Sequence, residues 1–282
     1  MGTDNEPSGR RLAQGLGLLE SARWHDGRPW FADWLSGTIY RGGASGASGV
    51  EAMAQVKSLP LCFDFIGDDL VVLDSAGGRV LRGPVGGDLR VWADVAALGS
   101  VGNEIVALPD GGCYLNLGNF NPAEGFPTTP CGTIAHLDAS GAGRVVADGL
   151  AFPNGMAVSP DAGTLIVAES HAGLLTAFRI DADGALSDRR VWAEVPRSAP
   201  DGISLAPSGA CWYADVPNEQ AVCVAEHGTE PTRVIGLDRG GFSCAVSPDG
   251  AQLLVVGAEW ANGAGFGNPD HEWDGTAWVF DL

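Results

Sequence analysis

Positive charge is scarce in this sequence: 16 Lys and Arg stand against 35 Asp and Glu, a formal net charge of −19 over 282 residues. A field of that sign repels phosphate backbones and anionic lipid, which excludes nucleic acid and membrane surfaces as partners and favours cations. No apolar run approaches the length of a membrane span, and the opening "MGTDNEPSGRR" lacks the hydrophobic stretch of a secretion signal. It also misses the myristoylation pattern, because Glu6 stands where Ser or Thr is required. The expectation is a cytoplasmic protein. Cysteine is sparse too: Cys62, Cys113, Cys131, Cys211, Cys223 and Cys244 form no C-x-x-C pair and sit mostly among alternating apolar residues. Buried free thiols are expected, with no disulfide framework.

Several motifs are missing as well. There is no G-x-S-x-G elbow, H-E-x-x-H, P-loop or G-x-G-x-x-G, which argues against an α/β-hydrolase, a zincin and a Rossmann enzyme. "RIDADGALSDRR" departs from an EF-hand at Ala185 and Trp192 and reads as a hairpin turn. The five histidines have no metal-ligand spacing. No stretch carries a convincing helical period.

What is present is repetition. Apolar residues make up 45%, and 42 Gly and 17 Pro are spread along the chain, as suits many short strands joined by tight turns. Aligning "PNGMAVSPDAGTLIVAES" with "PDGISLAPSGACWYADV" sets Asn154 over Asp201, an offset of 47. The same template fits "GNEIVALPDGGCYLNLG", "GFSCAVSPDGAQLLVVGAEW" and, more faintly, "ESARWHDGRPWFADW" and "LCFDFIGDDLVVLDS". Six units of about four strands fill the chain, which predicts an all-β, six-bladed β-propeller of four-stranded blades in one domain over 1–282. Residues 1–11 are expected to start as a flexible segment, and "RRLAQGLGLLE" to pair after "TAWVFDL" as the outer strand of the last blade.

In a propeller the innermost strands line a central channel, and their first residues stand at one mouth. That register holds Glu20, Leu61, Asn103, Asn154, Asp201 and Phe242. Taken singly, Asn154-Gly155 and Asp201-Gly202 are ordinary turn chemistry. Taken together, four oxygen-bearing groups converging on one axis form a cage of charge −2 suited to one hard divalent cation, Ca²⁺ first, with Zn²⁺, Mn²⁺ or Mg²⁺ as alternatives. The ends of the second strands return to the same mouth. They read Asp33-Trp34, Asp74-Ser75, Asn116 to Asn119, Ser170-His171, Asp215 to Asn218 and Glu259-Trp260, a mixture that suits a small-molecule pocket. The insertion at residues 259–275 reads as a lid over the mouth or a surface loop.

"LLESARW", "VGNEIVALPDGGCYLNLGNF", "FPNGMAVSPDAGTLIVAES" and "APDGISLAPSGACWYADV" resemble the SMP-30/gluconolactonase/LRE family across essentially the whole chain. The resemblance implies a six-bladed propeller with a divalent metal, usually Ca²⁺, held by Glu20, Asn154 and Asp201, and with Asn103 near substrate and metal. It implies lactone hydrolysis. One departure stands out: sugar-lactone members carry an Arg two residues before the blade-three Asn, and here that position is Val101. A less polar or larger lactone or ester follows.

The mechanism expected is metal polarisation of the lactone carbonyl with attack by an activated water, Asp201 acting as catalytic base and Asn103, Asn119 and His171 contacting substrate. The alternative is a metal-bound propeller that binds a small metabolite or catalyses a non-hydrolytic isomerisation or cyclisation. Expected partners are a small-molecule substrate and, for assembly, a monomer or small homo-oligomer.

Overall fold

The structure, a computed structural model, describes residues 9–43, 49–121, 125, 127–260 and 271–282. The apolar alternation of the repeats folds as twenty-four strands in six four-stranded antiparallel sheets, with no helix among the described residues. Blades 1 to 5 occupy residues 19–55, 61–94, 104–150, 153–194 and 200–236. Blade 6 takes three strands from residues 240–281 and its outer strand from Arg10–Leu16, which pairs with Gly275–Asp281. The six-bladed propeller and its closure by the N-terminal strand are therefore as expected, and closure leaves no sheet edge between first and last blades. Arg10 and Arg11 already lie in that strand, opposite Val279 and Trp278, so the strand begins inside the segment expected to be flexible. Residues 1–8 and the central part of the insertion, 261–270, lie outside the described residues.

Each blade is sandwiched between two neighbours, so its middle strands are buried on both faces. Asp69–Asp74 and Gln252–Ala258 accordingly read as near-continuous apolar runs, whereas the outer strand Gly143–Leu150 is largely exposed. The core lies between blades: Val71 and Leu73 of blade 2 pack with Ile105 and Leu115 of blade 3, and Ile166 of blade 4 with Tyr213 and Val222 of blade 5. Residues 181–185 form the expected hairpin turn, with Asp181 N–H on the Ala185 carbonyl. All six cysteines are free thiols, five of them buried.

Around the mouth neighbouring blades are stitched to one another by a closed series of hydrogen bonds. Ser21 Oγ donates to Leu61 O (3.5 Å), Cys62 Sγ to Asn103 O (2.6 Å), Asn116 Nδ2 to Asn154 O (2.6 Å) and Ser170 Oγ to Pro200 O (2.7 Å). Cys244 Sγ donates to Gly202 O (3.4 Å), and Ala22 N to Ser243 Oγ (3.0 Å). Every blade junction is crossed at least once. Burial pushes the Cys62 and Cys244 thiols well above their ordinary range, which keeps the S–H donors protonated.

Candidate active site at the channel mouth

The register residues stand where the strands are irregular. Pairing slips between Glu20 and Arg23 in blade 1, between Pro153 and Met156 in blade 4, and between Pro200 and Ile203 in blade 5. Blade 6 slips as well, between Gly241 and Ser243, while blade 2, whose register residue is Leu61, pairs regularly from Leu61 to Ile66. A bulge kinks a strand and re-aims its side chains. Here it turns polar side chains of blades 1, 4 and 5 toward one another. Non-glycine residues in the left-handed region sit close by: Ser21 (φ 54°) beside Glu20, Val101 (φ 54°) before Asn103 and Phe152 (φ 58°) before Asn154. Each costs on the order of 1–3 kcal/mol and persists only because its surroundings over-determine it.

The glycines after Asn154 and Asp201 serve close packing. A Cβ on Gly155 would lie 2.4 Å from Asp201 O, and one on Gly202 would lie 2.3 Å from Ser243 Oγ. Blades 4, 5 and 6 thus approach at backbone distance, which brings Asn154 and Asp201 within reach of each other.

Glu20, Asn154 and Asp201 are all buried, and the two carboxyls lie close enough for each to shift the other's protonation. Glu20 Oε2 also accepts Ser21 N–H at 2.8 Å. Burial raises both carboxyls well above the ordinary carboxylate range. The negative charge of Asp201 adds to the rise at Glu20, and that of Glu104 to the rise at Asp201. Two acceptors are left over. Asp201 Oδ1 and Asn103 Oδ1 are buried without a hydrogen-bond partner among the described residues. Asn116, expected from the sequence at a second-strand end lining the mouth, is fully buried: its Oδ1 accepts Asn103 and Glu104 N–H, and its Nδ2 donates to Pro153 and Asn154 carbonyls. It links the blade-three and blade-four register residues directly.

The channel also holds a charged group that sequence reasoning missed. Arg23 Nη2 donates to Glu104 Oε1 at 2.5 Å and to Ile105 O at 2.8 Å, with Asp64 3.6 Å from Nε. The available signal was an Arg and a Glu inside otherwise apolar innermost strands, "ESARW" and "NEIVAL".

The second-strand ends mostly stitch loops to their own blade. Asp33 takes Gly17, Leu35 and Ser36 N–H, Glu169 takes Ala151 N–H and Thr176 Oγ1, and Asp215 takes Ala199 N–H with the Asn218 and Gln220 amides. Asn119, expected against substrate, does the same work. Its Oδ1 accepts Ser100 N–H and its Nδ2 donates to Cys131 O and Thr133 Oγ1, so both ends of the amide are engaged within blade 3. His171 remains exposed at the mouth, stacked on Phe152 with centroids 4.5 Å apart, and burial lowers its pKa.

Two surface clefts lie away from this site, one between blades 1 and 2 at Lys57, Asp74 and Arg79, the other beside Arg197, Tyr213 and Glu230. Among the described residues no trio of His, Cys, Asp and Glu side chains converges as a metal site; the cluster at the mouth is two carboxylates and amides.

The family model described as SMP-30/Gluconolactonase/LRE-like region matches residues 18–258, a span that contains every register residue from Glu20 to Phe242. The chain belongs to this family. Solved structures carry the same propeller as this SMP-30/gluconolactonase/LRE-like chain. A luciferin-regenerating enzyme superposes with a TM-score of 0.79 at 15% identity, covering 98% of this chain and 96% of its own. The calcium-binding protein regucalcin of Agrobacterium tumefaciens gives 0.76 at 17%, covering 100% and 96%. A gluconolactonase of Xanthomonas campestris gives 0.73 at 21%, covering 96% and 88%. At these identities the likeness is one of fold. A search of curated protein sequences found no match. No helix among the described residues is long and apolar enough to cross a membrane.

Proposed function

We propose that the protein is a divalent-metal-dependent hydrolase that opens a lactone or related ester at the channel mouth. The observation carrying this is the leftover acceptor pair: Asp201 Oδ1 and Asn103 Oδ1 are buried without partners among the described residues, at a mouth where burial makes the Glu20 and Asp201 carboxyls costly to ionise. Hard oxygen donors of net charge −2 fit a cation such as Ca²⁺, which would stabilise these carboxylates in ionised form. Glu20, Asn154 and Asp201 would hold it, with Asn103 alongside. Bound there, such an ion supplies Lewis-acid polarisation of a carbonyl.

The chain's own residues do the rest. Asp201 is the base for an attacking water, taking the proton on the carboxylate oxygen not turned to the ion. Asn154 Nδ2 donates to Ser170 Oγ (3.3 Å), which fixes the orientation of its amide beside Asp201. Asn103, held by Asn116, orients the substrate. The regucalcin and gluconolactonase folds, described as calcium-binding and as a gluconolactonase, support this reading by analogy.

The test is hydrolysis of γ- and δ-lactones with Ca²⁺, Mn²⁺ or Zn²⁺ and then with EDTA. Turnover that is abolished by EDTA and reduced about 10²-fold or more in Asp201→Asn, with the melting temperature retained, supports the reading. Metal-dependent thermal stabilisation without turnover of any ester would favour the metabolite-binding alternative.

A further inference from the structure

The six register positions are divided. Asn103, Asn154 and Asp201 occupy consecutive blades 3, 4 and 5, whereas Leu61 and Phe242 flank Glu20 on the opposite arc, in blades 2 and 6. Phe242 is buried with Leu18, Val216 and Ala258, and Trp34 and Trp260 pack against that group. Trp260 meets the Phe242 ring edge-on, with centroids 5.5 Å apart at 72°. Trp34 reaches further, packing also against the cluster that contains Leu61. One indole therefore spans the apolar arc from blade 6 to blade 2. Its Nε1–H is buried and has no hydrogen-bond partner among the described residues. Phe152, two residues before Asn154, stacks on His171 with centroids 4.5 Å apart.

Trp34 follows directly on a second strand, Trp260 comes two residues after another, and Phe152 precedes an innermost strand, so all three stand at the same end of the channel as Glu20 and Asp201. The guanidinium inside the channel, Arg23, is already paired with Glu104 and close to Asp64. An anionic substituent would find no spare cation there. A polyhydroxylated one would lose its water against the two indoles, with a single N–H in exchange.

We infer that the substrate is an uncharged lactone or ester with a planar apolar substituent, seated on the partly exposed rings of Trp34 and Trp260, behind which Leu61 and Phe242 are packed, and hydrogen-bonded on that side by Trp34 Nε1. The orientation of its carbonyl toward Glu20, Asn154 and Asp201 rests on the hydrolase reading; the seating of the substituent does not. A ring laid against aromatic side chains gains both buried area and edge or face contacts.

The test compares γ-phenyl-γ-butyrolactone with γ-valerolactone, which share the reacting ring, and with D-glucono-δ-lactone, all in the calcium-loaded protein. A preference for the phenyl lactone of about 10- to 100-fold in kcat/KM is expected, the worth of burying one aromatic ring. Trp260→Ala should cancel most of that preference. The conservative Trp34→Phe keeps the packing and should raise KM for the phenyl lactone while leaving kcat unchanged. A second readout needs no turnover: the non-hydrolysable γ-phenyl-γ-butyrolactam should raise the melting temperature of the wild type and not of Trp260→Ala. If lactam binding follows this pattern while no lactone is opened, the subsite stands and the hydrolase reading falls. The inference is overturned if the lactam does not bind, or if γ-valerolactone or gluconolactone is opened as efficiently as the phenyl lactone.

Discussion

Arg23 of blade 1 reaches past blade 2 to Glu104 of blade 3, Nη2 to Oε1 at 2.5 Å, in the channel beneath the candidate site. Both side chains are largely withdrawn from solvent, at 14% and 4% exposure. Glu104 also accepts Ile105 N–H at 2.8 Å. The pair ties together two blades that do not touch in sequence order and balances one of the carboxylates gathered near the axis.

Removing the cation alone should therefore be severe. Arg23→Met leaves Glu104 buried and uncompensated, at an expected cost of about 3–5 kcal/mol. The double variant Arg23→Met/Glu104→Met should recover most of it, since well-packed apolar replacements of buried pairs are near neutral. A double-mutant cycle in urea measures both. Recovery in the double variant confirms the pairing, and additive losses contradict it.

The carboxyl pair sets a pH dependence for the metal-free protein. Glu20 and Asp201 have raised folded-state values, chiefly from burial, whereas unfolded carboxyls titrate near 4. Above about pH 4 the folded state holds more protons than the unfolded one, so stability is full below that pH and falls as pH rises through the raised values. The slope is at most about 1.4 kcal/mol per pH unit for each retained proton. In EDTA, the melting temperature at pH 8 relative to pH 5 should drop more in the wild type than in Asp201→Asn, which cannot ionise. Calcium should reverse the drop at pH 8, adding about 2.7 kcal/mol at a hundredfold excess over Kd.

The repeat made the architecture readable. Six copies of one strand pair put Glu20, Asn154 and Asp201 in register before any coordinate did, and the copy containing "TAWVFDL" required a strand from the other end of the chain to complete it. Register gives position around the ring and says little about which polar side chains remain free. Asn116, Asn119, Asp33 and Asp215 look like pocket residues in sequence, yet each is engaged by backbone N–H groups that only the folded loops bring near. Arg23 was hidden for a related reason: a bulge between Glu20 and Arg23 shifts its facing, and simple alternation does not anticipate a bulge.

Gly155 and Gly202 offer a check on the close approach of blades 4, 5 and 6. Gly155→Ala sets a methyl 2.4 Å from both Asp201 O and Ile203 N, atoms of backbone that cannot rotate away. A cost of about 1–3 kcal/mol is expected, with a weaker calcium-induced rise in melting temperature because Asn154 and Asp201 are pushed apart. Gly236→Ala, whose added Cβ meets nothing within 4 Å, should stay within about 0.5 kcal/mol of wild type and keep the full calcium response. Thermal melts with and without calcium decide it.

Asn103 and Asn119 stand on the same blade and were expected in the same role, but their amides are in opposite states. Asn119 makes three hydrogen bonds at 2.9 to 3.2 Å from a left-handed backbone position, φ 56°, which Asn tolerates better than Ala. Asn119→Ala should lower stability by about 1–3 kcal/mol, since it strands Ser100 N–H and Thr133 Oγ1, and should leave KM for a turned-over lactone close to wild type. Asn103 keeps a buried Oδ1 without a partner among the described residues, so truncation there removes no internal hydrogen bond of that oxygen. Asn103→Ala should hold the melting temperature and lose turnover or calcium affinity about tenfold or more. Measuring melting temperature, KM and the calcium midpoint on both variants separates the two roles. If Asn119→Ala instead raised KM with stability unchanged, the loop-stitching role would be wrong and Asn119 would return to the substrate pocket.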